Sequence, residues 1–193
     1  MNTLRGCCCC AVMLLASAAS SASETILAPV SDGMIFDQAP FNGVGDAGGI
    51  ENDQIVSVGL NSRILDSRGV VEYDLTQVNR DKPVQSAILR MKVTGKGFLP
   101  GTTIAPVQVM GYRGDGTLQR NDFNMGTFVT VYDAFAANNG AVIEVNVTRF
   151  VRAAVQRRAQ HYVGFSFRTN VHGFFRSYES LDTGEPIQLV VVQ

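Results

Sequence analysis

From residue 30 onward, short runs of alternating apolar and polar residues fill most of the chain, separated by Gly, Asn and Asp. Alternation puts every second side chain on one face, so it predicts strands that bury one side of a sheet. Residues 30–36 read as an edge strand, and a Gly/Asn/Asp-rich loop leads from there to a strand at 55–58. In residues 68–75, Val71, Tyr73 and Leu75 share the inward face, with Glu72 and Asp74 outward. Residues 86–93 place Ala87, Leu89, Met91 and Val93 inward and leave Arg90 and Lys92 wet. Further strands are expected at 107–112, 128–132, 142–147, 163–167, 174–178 and 187–192. Asn139-Gly140 suits a type I′ hairpin turn, which needs positive φ at both central residues and would pair 128–132 with 142–147. The period changes once. Val147, Phe150, Val151, Ala154 and Val155 recur at three and four residues, predicting a single helix over 148–159 capped by Asn146 or Thr148. The expected fold is all-β: a two-sheet antiparallel, jelly-roll-like β-sandwich with one short helix.

The start of the chain has a different grammar. Arg5 precedes an apolar run from Cys7 to Ala16, and a small-residue stretch follows through Ser23. That order is the charged, apolar and cleavable order of a secretory signal. The run is too short to cross a bilayer as a helix, which takes about 20 apolar residues. Residues 1–23 are therefore expected to be removed, with cleavage after Ala22 or Ser23, leaving 24–193 as one domain. Leu4-Arg5-Gly6-Cys7 loosely matches a lipid-attachment box, but it precedes the apolar run instead of following it. All four cysteines lie at positions 7–10, so the expected mature protein has no disulfide or thiolate site. Without Arg5, basic residues fall from 16 to 15 against 17 acidic ones, and the clustered basic excess of a nucleic-acid binder is missing. The expected product is secreted, extracellular or periplasmic, and not membrane-spanning.

Candidate chemistry is sparse. The only histidines are His161 and His172, and no nucleophile elbow, zinc-binding pair or phosphate loop occurs. A carboxylate pair such as Glu72 with Glu144 or Glu179 is the remaining catalytic option. Two loops offer the oxygen ligands that calcium requires: residues 46–53, and a second loop with Asp115, Asn121, Asp122 and Asn124. The same residue types also build ordinary turns. With no Trp in the chain, a sugar-stacking surface falls to tyrosines. Tyr112, Tyr132 and Tyr178, beside Arg113 and Arg176, are the candidate ligand-binding residues, since a tyrosine face can stack on a sugar ring. Arg149, Arg152, Arg157 and Arg158 make a solvated helix face able to touch an anionic polymer.

Four stretches in sequence order resemble the DNRLRE domain family, secreted jelly rolls related to the carbohydrate-binding modules of disaggregatases. Residues 68–75 are similar to that family's early strand with its aromatic-Asp-Leu ending, and 84–91 to its Ser-Ala-x-Leu strand. Residues 145–151 resemble its entry into a helix, with Asn146 where Asp is usual. Residues 175–179 and 186–191 resemble its closing strands. The resemblance implies a jelly-roll fold and a noncatalytic secreted module that binds an extracellular polymer, a polysaccharide. A structural or adhesive component of the cell envelope or matrix is the second reading, and a glycan hydrolase or lyase the third.

Overall fold

The computed structural model describes residues 22–38, 45–46, 50–51, 55–61, 65–101 and 103–193. The expected leader, apart from its last two residues, lies outside the described residues, as does most of the first oxygen-rich loop. Among the described residues there are twelve strands: β1 (Glu24–Leu27), β2 (Ser31–Gln38), β3 (Ile50–Glu51), β4 (Ile55–Asn61), β5 (Leu65–Asp74), β6 (Ser86–Phe98), β7 (Pro106–Tyr112), β8 (Thr127–Asp133), β9 (Val142–Asn146), β10 (Tyr162–Arg168), β11 (Phe174–Glu179) and β12 (Gln188–Val192). Among the described residues there is one α-helix, α1 (Thr148–Gln156). Every strand pair is antiparallel, and the two sheets form an open sandwich that does not close into a barrel.

The first sheet runs β1-β12-β6-β9, and the second contains β8-β7-β10-β5 with β2, β4 and β11. The thirteen residues of β6 serve both sheets. Its first half pairs with β12 and β9, and its second half, from Val93, pairs with β11. A register shift at Ser177/Tyr178 marks the corner where the strand changes sheets. Leu89, Met91, Leu189 and Val191 of the first sheet meet Val71, Phe165, Phe167 and Val109 of the second, all fully buried. At 25 cal/mol per Å², burying one such side chain contributes about 1.5–3 kcal/mol. Val151, Ala154 and Val155 of α1 join the same core.

Three expectations need correction. The strand at 30–36 is not a bare edge: β2 pairs along eight residues with β5, and β3 covers part of its other side at Met34 and Ile35. The hairpin is also wrong. β8 pairs with β7, and β9 pairs with β6 in the other sheet. The Asn139-Gly140 turn lies on the crossing between sheets, where Gly140 N–H donates to the Val93 carbonyl at 2.7 Å. Gly140 has φ +82°, but Asn139 has no positive φ, so the turn is not type I′. Finally, α1 ends at Gln156, three residues early. Arg157 leaves the helical region at ψ 88°, and Gln160 N–H bonds back to the Arg157 carbonyl, turning the chain into β10.

Candidate functional site

The predicted tyrosine platform does not exist as a surface. Along β11, Phe174, Arg176 and Tyr178 alternate onto the inner face, and both Arg176 and Tyr178 are 0% exposed. Tyr178 hydrogen-bonds the hydroxyl of half-buried Tyr132, and Arg176 donates through Nη2 to the Ala137 carbonyl at 2.9 Å. Burial pushes the hydroxyls of both tyrosines up and the Arg176 guanidinium down. Tyr112 is buried too, its ring occupying the space where a side chain at Gly164 would stand. Only Arg113 of the five is exposed.

The second oxygen-rich loop is engaged with itself and with the sheet. Asp115 Oδ1 accepts from the N–H and hydroxyl of Thr117, and its Oδ2 accepts from Gln119. Asp122 caps a short 3-10 turn by accepting the Gln119 N–H at 2.7 Å, while Asn124 Oδ1 takes a hydrogen bond from Arg68. Asn121 is exposed. Among the described residues, no three His, Cys, Asp or Glu side chains converge as a metal site.

Beneath that loop lies Glu72, expected to be wet but only 1% exposed. Its Oε2 accepts the N–H groups of Asp115 at 3.1 Å and Gly116 at 2.6 Å, so it pins the loop to β5. A side chain at Gly114 would collide with its carboxyl carbon at 2.7 Å, which is why the backbone approaches so closely there. Burial raises the Glu72 carboxyl above its ordinary range, with the Gly116 N–H opposing that rise. Burial likewise pushes Asp122 up to about 6, aided by the charges of Glu72 and Asp115. A second acid, Asp32, lines a recess of about 410 Å³ with Thr117 and Asp182. Burial pushes it to about 6 as well, although the Leu181 N–H holds its Oδ2 at 2.9 Å.

A second hollow among the described residues carries the opposite charge. A groove of about 780 Å³ lies between α1 and the β7–β8 pair. Arg149 and Ala153, four residues apart, share one exposed face of α1, and Arg157, just past the helix end, lines the same groove, with the small Ala153 leaving space between the two cations. Arg113 extends β7 on the other side and reaches the Ala159 carbonyl at 3.4 Å. Phe150 covers the floor, its ring within 2.6 Å of where a Gly111 side chain would stand, and Phe128 of β8 lines the wall at 60% exposure. No Asp or Glu lines the groove, and none of its three arginines is in an ion pair among the described residues. The other helix arginines have structural partners. Arg152 donates to the Val84 and Gln85 carbonyls, and Arg158 pairs with Asp81.

Of the groove residues, the sequence points to Arg113 as a ligand-binding candidate and to Arg149 and Arg157 as a solvated helix face; nothing in the sequence singles out Phe128, because in β8 it looks like any other strand residue. The catalytic options do not assemble. His161 and His172 are exposed and neither lines the groove, Glu72 is under the loop, Glu144 pairs with Arg90, and Glu179 pairs with Lys92. No protein-family model matches this chain, and no curated protein matches it.

Proposed function

We propose that this domain is a secreted, noncatalytic module that binds an extracellular polysaccharide, with acidic stretches of the polymer lying in the groove beside α1. The observation that carries the reading is the set of three exposed, unneutralised guanidinium groups around an exposed phenylalanine. Guanidinium forks match carboxylate and sulfate oxygens in paired geometry, and the Phe128 ring offers an apolar face to a sugar. A hollow this open suits a long chain better than an enclosed small molecule. The resemblance to DNRLRE domains supports a polysaccharide partner, and the charged, apolar and small-residue order at the N-terminus supports export. The structural or adhesive reading draws on β8, which pairs only with β7 among the described residues and exposes Phe128 and Val131.

Calorimetry against a polyuronate should give weak binding, about −4 to −6 kcal/mol, which weakens as salt is added. The double charge reversal Arg149→Glu/Arg157→Glu should abolish it. Unchanged affinity in that variant would overturn the groove, and silence toward every polymer would favour the adhesive reading.

A further inference from the structure

Among the described residues, the large exposed aromatic away from the groove is Phe175, on the outer face of β11 at 48% exposure. Its neighbours in register on both sides are glycines, Gly97 of β6 and Gly59 of β4. A side chain at Gly97 would stand 2.1 Å from the Phe175 ring, so the ring occupies that space, above bare backbone. Further along β6, the position of a Gly95 side chain is 3.9 Å from the same ring. One ring face is therefore spent on β6, and the other faces solvent. Leu99, 57% exposed, does the same over Gly173, one step along the same face. Covering bare glycine backbone explains why a ring lies there. It does not explain why Phe175 and Leu99, at neighbouring register positions, both stay open to solvent, since exposed apolar surface marks contact sites.

The same face continues into a polar cluster. Ser177 pairs with Gly95, and Glu179 lies four residues beyond Phe175, about 13 Å along the strand. There Lys92 bridges Glu179 at 3.1 Å and Glu185 at 2.6 Å. One ammonium and two carboxylates leave a negative balance, which repels an acidic polymer. Both signs at close quarters suit uncharged hydroxyl groups, which donate to carboxylates and accept from an ammonium.

We propose that the outer face of β6 and β11 is a second glycan-contact surface, on which Phe175 stacks against an uncharged pyranose ring while the Lys92–Glu179–Glu185 cluster takes hydroxyls of the next sugar. This rests on the reading of the domain as a polysaccharide binder, but it shares no residue with the groove. Two surfaces of different charge preference would let one domain bridge acidic and neutral segments of a polymer.

The test titrates the protein with cellohexaose, xylohexaose and mannohexaose, and separately with a hexauronate, followed by calorimetry. At least one uncharged hexasaccharide binds, Phe175→Ala weakens it about tenfold or more, and Phe175→Tyr retains it. Phe175→Leu, which keeps an apolar cover over Gly97, guards against a folding defect and should also lose binding. Hexauronate affinity stays unchanged in all three variants. Uncharged-sugar affinity stays unchanged in Arg149→Glu/Arg157→Glu. Undiminished binding of the uncharged sugar by both Phe175→Ala and Phe175→Leu overturns the proposal, and so does failure of the native protein to bind any of the three uncharged sugars. Loss of the uncharged sugar in Phe175→Ala, with hexauronate unaffected by the charge reversal, would sink the groove and leave this surface standing.

Discussion

Strands β5 and β6 carry the same alternating pattern, yet the fold treats their outward faces in opposite ways. On β6, Arg90 and Lys92 stay partly exposed and pair with Glu144, Glu179 and Glu185 at the surface. On β5, Glu72 occupies an equivalent outward position and is buried. The cause is what lies above each strand. β5 is central in the second sheet, flanked by β10 and β2, and the chain following β7 folds over it so that two backbone N–H groups meet the carboxylate. Among the described residues nothing comparable covers β6 at Arg90, whose side chain is 41% exposed. A charge on a strand is thus a solvated face or a buried anchor according to what later chain segments do.

What the two strands share should dominate stability. Replacing Leu89 of β6 or Phe165, which pairs with Val71 of β5, by Ala should each cost about 2–5 kcal/mol in chemical unfolding. A loss typical of an exposed site at either position would mean the inward face has been misassigned.

Where the strands differ, the effects should separate. Glu72→Ala leaves the Asp115 and Gly116 N–H groups without their acceptor and should cost about 1–3 kcal/mol. Arg90→Ala removes an exposed ion pair and should cost less than about 1 kcal/mol. Equal losses would erase the contrast.

The contrast extends to a pH dependence of unusual sign. Asp32 and Asp122 rise from 3.8 to about 6, and Glu72 also rises, so the folded state holds these protons more tightly than the unfolded chain. Their contribution to stability is fully present below about pH 4 and is lost as pH rises through about 6. The thermal midpoint of Asp122→Asn, which keeps an acceptor for the Gln119 N–H, should therefore exceed the native value at pH 7 and converge toward it at pH 4. A native advantage at pH 7 would show that the charge at Asp122 stabilises the loop.

The strands were legible because one buried face imposes period two on whatever sequence fills it; ten of the twelve were anticipated, and β1 and β3 were too short to show a period. The helix was legible from a single change of period, though its end was not, since Gln160 is buried and its carbonyl is held by Arg80, 80 residues away. The site was read less well. Tyr178 and Arg176 look like surface chemistry in a linear reading, and both are in the core. Phe128 and Phe175 look like core and are open to solvent. In β11 the alternation was visible, but which parity faces inward was not.

By itself, the sequence determined the class of fold and the number and kind of most elements, because these follow from residue type and period. Pairing was left to the tertiary structure. A turn signal at Asn139-Gly140 reports only that the chain bends, whereas long-range packing chose β6, not β8, as the partner of β9. The structure also brought Arg113, Arg149 and Arg157 around one groove from a strand end and a helix, and covered Glu72 with a distant loop. Charge and exposure depend on neighbours in space, and the Leu181 N–H that holds the Asp32 carboxylate lies 149 residues from it along the chain.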